Sequence, residues 1–280
     1  MAASRAALVT GCSTGIGRAA ALRLHAAGLP VHATARDPGT LDALTAQGIH
    51  TLRLDVTDEE SMVTAVKRIT EDHGAVGVLV NNAGSAVHGT VEDVPLDTVR
   101  PALETNVFGQ IRLIQLVLPG MRAQHTGRIV KISSILGRFS PPGGGLYHAT
   151  KHPLEAYADT LHVEVAPFDV RVSLIEPATV RTQFFTTAIA QFAGRSDSAY
   201  QAFYDKLAAW AIDVHEGRTA AGQLALTSEA VARVVERAAV SRRPRARYPV
   251  GLLARGALGL RRALPDAAFD KFVARQFPAP

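Results

Sequence analysis

Apolar runs of strand length recur along the first 180 residues of this chain, and each leads through a turn into a longer helical pattern. The runs are Ala6–Thr10, Val31–Ala35, Ile49–Leu54, Val76–Val80, Arg128–Ile132 and Val170–Ile175. Strands this apolar need cover on both faces, and strict alternation with helices provides it in a parallel sheet. The pattern predicts an α/β fold, a doubly wound parallel sheet with helices on both faces, forming one domain over residues 1–280. Such sheets bind ligands outside the carboxyl ends of their strands. Gly11, Asp55, Asn81, Ser134 and Pro177 all fall at those ends.

The first junction reads Gly11-Cys12-Ser13-Thr14-Gly15-Ile16-Gly17 and runs into a helical pattern from Arg18 to Ala27. A glycine-rich turn between a strand and a helix start is the layout of a phosphate cradle. Gly11 permits the tight turn, Gly15 lets backbone approach a pyrophosphate, and Gly17 lets the helix pack close to the sheet. Ser13, Thr14 and Ile16 of the same turn are further cofactor-binding positions, with Ser13 as an extra contact to a ribose 2′-phosphate. Cys12 has no histidine partner nearby and reads as packing.

The second junction selects the cofactor. An acid at this strand end would bind a ribose 2′-hydroxyl, whereas an arginine accommodates a 2′-phosphate. With the strand ending at Ala35, Arg36 takes the position and NADP is preferred. Were the strand one or two residues longer, Asp37 would take over and NAD would be preferred.

Tyr147 and Lys151 are spaced to share a helix face, one turn apart. An ammonium beside a phenol favours the phenolate and lowers its pKa below the free value of about 10. That suits a general acid or base working near neutrality. Ser134 ends the preceding strand and can hydrogen-bond the same substrate oxygen. The ordinary alternative for these residues alone is a helix start carrying a solvated Tyr–Lys pair. His148 and His152 are also four apart, but no acidic third ligand accompanies them, so no metal is expected.

Taken together, the chain resembles the short-chain dehydrogenase/reductase family in its compact branch. The resemblance rests on Thr10-Gly11-x3-Gly15-x-Gly17, Asp55, Asn81-Asn82-Ala83-Gly84, Asn106, Ser134, Tyr147-x3-Lys151 and Pro177-x-x-Val180-x-Thr182. It implies a Rossmann-type fold and hydride transfer between a nicotinamide and a carbonyl or alcohol. It also implies Tyr147 as general acid or base, Ser134 orienting the carbonyl, Lys151 lowering the Tyr147 pKa and holding the ribose, and Asn106 supporting a water relay. Asp55 and Val56 would contact adenine, Asn82, Ala83 and Gly84 the cofactor edge, and Pro177, Val180 and Thr182 the nicotinamide. Ala178 departs from the family's usual glycine and narrows that region. The Gly11-Cys12-Ser13 turn, Arg36-Asp37 and Arg247-Tyr248 resemble the steroid and retinol dehydrogenase-like group. A catalytically silent, cofactor-sensing binding protein is the rival reading; retention of Asn106, Ser134, Tyr147 and Lys151 argues against it.

Residues 183–227 break the β-α rhythm and carry Phe184, Phe185, Phe192, Phe203, Tyr204 and Trp210. They read as a helical substrate lid for a hydrophobic ketone, aldehyde or alcohol, or as core packing of an extra helical layer. A helical extension, 251–280, follows a strand-like segment at Arg247–Val250. Net charge is +5, concentrated in Arg242, Arg243, Arg245, Arg247, Arg255, Arg261 and Arg262. This basic region reads first as a solvated terminal helix, with membrane-surface contact as the alternative. No nucleic-acid-binding motif, signal peptide or apolar span of membrane length occurs, and one cysteine allows no internal disulfide. A cytoplasmic enzyme is expected, forming a homodimer through the helices at 97–121 and 147–166.

Overall fold

The computed structural model describes residues 3–192 and 198–279. Residues 193–197 of the expected lid lie outside the described residues. The first half alternates as β1 (Ala7–Val9), α1 (Gly15–Ala26), β2 (Val31–Ala35), α2 (Asp42–Thr45), β3 (His50–Arg53), α3 (Glu59–His73) and β4 (Val78–Asn81). Next come α4 (Leu96–Leu103), α5 (Gly109–Ala123), β5 (Gly127–Ile132), α6 (Gly145–Glu164) and β6 (Val170–Pro177). The chain ends with α7 (Gln183–Ala190), α8 (Gln201–His215), α9 (Ala220–Gln223), α10 (Ser228–Val240), β7 (Arg247–Val250), α11 (Leu252–Ala263) and α12 (Asp266–Gln276).

The strands form one sheet in the order β3-β2-β1-β4-β5-β6-β7, and every neighbouring pair is parallel. The expected doubly wound architecture is therefore present, and the strand-like segment at 247–250 is its seventh strand. Order reverses at β1, whose Val9 registers with Ala33 on one side and Val80 on the other. That switch point brings the turn after β1 beside the turn after β4.

Strand alternation sends successive side chains to opposite faces. Ala7, Val9, Val130 and Ile132 pack toward α1 and α10, together with Leu24, Val231 and Val235. Leu8, Leu79, Ile129 and Val172 face the other way, against Ile69, Leu113, Val117 and Leu161. Truncating one such buried leucine to alanine costs about 2–5 kcal/mol, because the cavity left behind collapses only in part.

Two segments depart from expectation. The predicted single helix over 97–121 is divided: Glu104–Phe108 forms a π-helical turn between α4 and α5. Within this turn Asn106 points inward, where its side chain makes three hydrogen bonds. Gly109 then seats α5 directly on the backbone after β3, where a Cβ would stand 2.2 Å from the Val56 carbonyl oxygen. The second departure is the C-terminal extension. Its α12 is docked, with Phe269 and Val273 buried against Phe139.

Candidate active site

One cavity of about 800 Å3 runs along the carboxyl edge of the sheet. Its wall includes Gly11, Ser13, Thr14, Gly15 and Ile16 after β1, Arg36 after β2, and Asp55 and Val56 after β3. It continues through Asn82, Ala83 and Gly84, then Ser134, Tyr147 and Lys151, and reaches Pro177, Ala178, Val180 and Thr182. Strands far apart in sequence thus deliver nearly all the anticipated residues to one space. The exceptions are Thr10, Gly17, Asn81 and Asn106, and from the expected lid Phe203 and Tyr204, all of them buried behind the wall.

The glycine turn is built for close approach. Gly11 and Gly15 hold φ of +69° and +61°, a region that disfavours side chains with a Cβ. A Cβ at Gly17 would sit 2.3 Å from the Gly11 carbonyl and 2.4 Å from Asn82 Nδ2, so Gly17 serves helix packing. Asn82 braces the same turn: its Nδ2 donates to the carbonyls of Thr10 at 2.8 Å and Gly11 at 3.1 Å. The Thr10 hydroxyl accepts from the backbone N–H groups of Asn82 and Ala83.

The start of α1 carries no side-chain cap and no acid in its first turn. Its N–H groups and the positive end of its dipole therefore remain available where Thr14, Gly15 and Ile16 meet the cavity. These residues fit the pyrophosphate of a dinucleotide. At the second junction β2 ends at Ala35, and Ala35 and Arg36 line the cavity. The Asp37 carboxylate instead accepts from the Gly39 N–H at 3.0 Å, capping a short 3-10 turn.

Tyr147 enters from the first turn of α6, with the His88 ring 5.2 Å and the Phe184 ring 5.5 Å from its own. Burial raises its phenol pKa. The expected fall is not present, because burial dominates: Lys151 Nζ stands over the ring, 5.7 Å from its centre, and donates to the Ile132 carbonyl at 2.9 Å. Burial lowers the Lys151 pKa to about 8, against the opposing pull of Glu155. Ser134 caps the turn after β5; its Oγ accepts from Leu136 N–H at 3.1 Å and donates to the Pro177 carbonyl at 3.5 Å.

Asn106 is wholly enclosed. Its Nδ2 donates to the Ser85 carbonyl at 2.9 Å and to Thr150 Oγ1 at 3.0 Å, while Oδ1 accepts from Ser85 N–H at 2.7 Å. Both amide protons are thus committed, so a water relay through this amide has no free donor. Thr150, inside the Tyr147–Lys151 segment, went unread in the sequence because a threonine between two conspicuous residues carries no periodic signal.

Also unread was a buried carboxylate pair behind α6. Glu155 accepts from Ser133 Oγ at 2.5 Å and from Arg247 Nε at 3.1 Å. Burial, and next the charge of Glu155, raise the Glu176 pKa to about 7, while Arg138 and Arg247 oppose the rise. This network ties α6 to the ends of β5, β6 and β7. It also engages Arg247, one of the basic cluster's arginines, which makes a further 2.7 Å ion pair with Asp159.

Beyond Tyr147 the wall is apolar and aromatic, with Phe184, Phe185 and Phe192 from the α7 region and Leu207 and Trp210 from α8. Phe272, Arg275, Gln276 and Phe277 come from the C-terminal end, where Trp210 and Phe277 meet at 5.2 Å. No group of three metal-ligating side chains occurs among the described residues. No helix among them is long and apolar enough to cross a membrane.

Comparison with known proteins gives the family and the fold. The family described as short chain dehydrogenase matches residues 5–192. The uncharacterized oxidoreductase YbbO of Escherichia coli is 33% identical over 96% of this chain and 94% of its own length. An NADPH-dependent 3-dehydrocapnine reductase of Ornithobacterium rhinotracheale is 34% identical over 95% of each chain. The crystal structure of a short-chain dehydrogenase from Streptomyces avermitilis superposes with a TM-score of 0.75 and 31% identity, covering 97% of each chain. The chain belongs to the short-chain dehydrogenase/reductase family, as an NAD(P)-dependent oxidoreductase.

Proposed function

We propose that this protein is an NADPH-preferring reductase and dehydrogenase that interconverts a hydrophobic ketone or aldehyde and its alcohol. The observation that carries the reading is the continuity of one cavity from the glycine cradle, past Ser134, Tyr147 and Lys151, to an aromatic wall. Preference for NADPH rests on Arg36 at the cavity with Asp37 tied to Gly39, and the NADPH-dependent relative is consistent with it. When bound, the nicotinamide supplies the hydride in reduction and accepts it in oxidation.

The turn from Gly11 to Ile16 holds the pyrophosphate through backbone N–H groups. Asp55 and Val56 flank the adenine, while Asn82, Ala83 and Gly84 border the cofactor's inner edge. Pro177, Val180 and Thr182 border the nicotinamide. Ser134 Oγ orients the substrate oxygen, and Tyr147 Oη gives it a proton during reduction. Lys151, released from the Ile132 carbonyl, places positive charge beside the phenolate left on Tyr147 and favours proton release from a phenol that burial otherwise holds neutral. Asn106 acts through Ser85 and Thr150 as a positioning residue. The helices of 183–227, joined by α12, serve as the substrate lid. A homodimer through the helices at 97–121 and 147–166 suits the exposed Phe108 in the first segment and the exposed Val163 in the second.

The test is NADPH oxidation with a panel of aliphatic and aromatic ketones. Tyr147→Phe should reduce turnover by about two or more orders of magnitude, the usual scale of general acid catalysis; unaltered turnover on every ketone refutes the assignment. Arg36→Ala should weaken NADPH far more than NADH, and equal weakening overturns the cofactor preference.

A further inference from the structure

The substrate end of the cavity combines a hydrophobic wall with a cation. Phe184, Phe192, Leu207, Trp210 and Phe277 supply aromatic and aliphatic surface. Arg275 stands on the same wall, and no hydrogen bond or ion pair engages its guanidinium among the described residues. The other charged lining residues, Arg36, Asp55 and Lys151, come from the turns after β2 and β3 and from α6. Asp55 is the one acid among the described lining residues, and it comes from the turn after β3, not from the helix that carries Arg275.

Arg275 is held there by construction. Phe272, Arg275 and Gln276 are spaced to share one face of α12, and all three line the cavity. Phe269 and Val273 anchor the helix against Phe139, while Arg261 pairs with Asp266 at 2.7 Å across the turn that begins it. Lys271, on the same helix, does not line the cavity. The helix therefore delivers a single guanidinium, itself exposed to solvent, to the edge of an apolar space. His88 and His148, the titratable neighbours near Tyr147, are kept neutral at pH 7 by burial and add no charge.

We propose that Arg275 anchors the anionic terminus of an elongated apolar carbonyl substrate, so that the enzyme prefers amphiphiles with an acidic head to neutral ketones of equal length. The apolar body lies along Phe184, Phe192 and Trp210, and the head meets the fork of guanidinium donors, which matches a carboxylate or another oxyanion. A neutral head forgoes that charge-assisted bond, and an ammonium is repelled. This rests on the carbonyl reductase reading of the same cavity and adds the class of substrate to it.

Trp210 is the only tryptophan in the sequence and touches Phe277, so its fluorescence reports binding at this wall without turnover. Dodecanoate, dodecanamide and dodecyltrimethylammonium should be titrated below their micellar concentrations into the NADPH-loaded protein. Dodecanoate should bind about two- to fivefold tighter than the amide, the scale of a solvent-exposed charge pair. Arg275→Ala should abolish that ratio, Arg275→Lys should retain part of it, and Arg275→Glu should invert it toward the ammonium. Equal binding of acid and amide by the unaltered protein, or a ratio unmoved in the Ala and Glu variants, overturns the proposal. Failure of the underlying reading shows separately: a protein that ranks the three ligands as predicted yet reduces no carbonyl compound keeps the anion site and loses the reductase assignment.

Discussion

Asn106 Nδ2 donates to the Thr150 hydroxyl at 3.0 Å, and that hydroxyl donates to the Tyr147 carbonyl at 2.8 Å. The π turn between α4 and α5 is thereby fastened to the first turn of the helix that carries Tyr147. Thr150→Val keeps the shape but removes both bonds, leaving a buried amide proton unpaired. It should cost about 1–3 kcal/mol in urea unfolding and lower kcat with little change in NADPH affinity, measured by steady-state kinetics and cofactor titration.

Gly17→Ala tests the cradle from beneath. The new methyl would meet the Gly11 carbonyl and Asn82 Nδ2, neither of which can move without disturbing the turn. Overpacking of this kind costs about 1–3 kcal/mol. Calorimetric titration should show NADPH binding weakened at least tenfold, although Gly17 itself does not line the cavity.

Lys151 sets a pH limit on the free enzyme. Its pKa is lowered to about 8 by burial, so its ammonium is present below that pH and lost above it. The profile of kcat/KM for ketone reduction should therefore decline as pH rises through about 8. Lys151→Arg, whose charge persists, should remove that limb while lowering overall activity. A profile flat from pH 7 to 10 would contradict the assignment.

Acid should destabilise the fold through its buried histidines. Burial lowers the pKa of His32 to about 4, helped by His50 and His73, and burial likewise lowers His88 to about 4 and His148 to about 3. These groups stay neutral when folded while the unfolded chain takes up protons from about pH 6.5 downward. Their contribution is thus complete above that value and is lost as pH falls toward 4, by about 1–2 kcal/mol each at pH 5. Thermal melts from pH 8 to 4.5 should show Tm falling below pH 6.5, with a shallower fall in His32→Gln.

The first six strands, the glycine turn and the Tyr147–Lys151 spacing were legible because each obeys a local rule. Period-2 burial, positive φ at Gly11 and Gly15, and a one-turn helical offset act within a few residues. The division of the helix at 104–108 was not legible, since the inward turn of Asn106 depends on Ser85 and Thr150, which lie far from it in sequence. The lowered phenol pKa also failed as a local inference. Spacing brings Lys151 to the correct face, but the burial that raises the phenol, and the Ile132 carbonyl at the end of β5 that takes the ammonium's hydrogen bond, come from tertiary packing.

By itself the sequence determined a parallel α/β sheet with a glycine turn at its carboxyl edge, because strand burial and glycine conformation are properties of short segments. Only the tertiary structure decided that Arg36 and not Asp37 meets the cavity, since the Asp37 carboxylate is spent on capping Gly39. It also decided the place of the C-terminal arginines. Apolar periodicity in α12 specifies a face to bury but not its partner. Packing on Phe139 brings Arg275 onto the cavity wall, where the linear sequence showed only a basic tail.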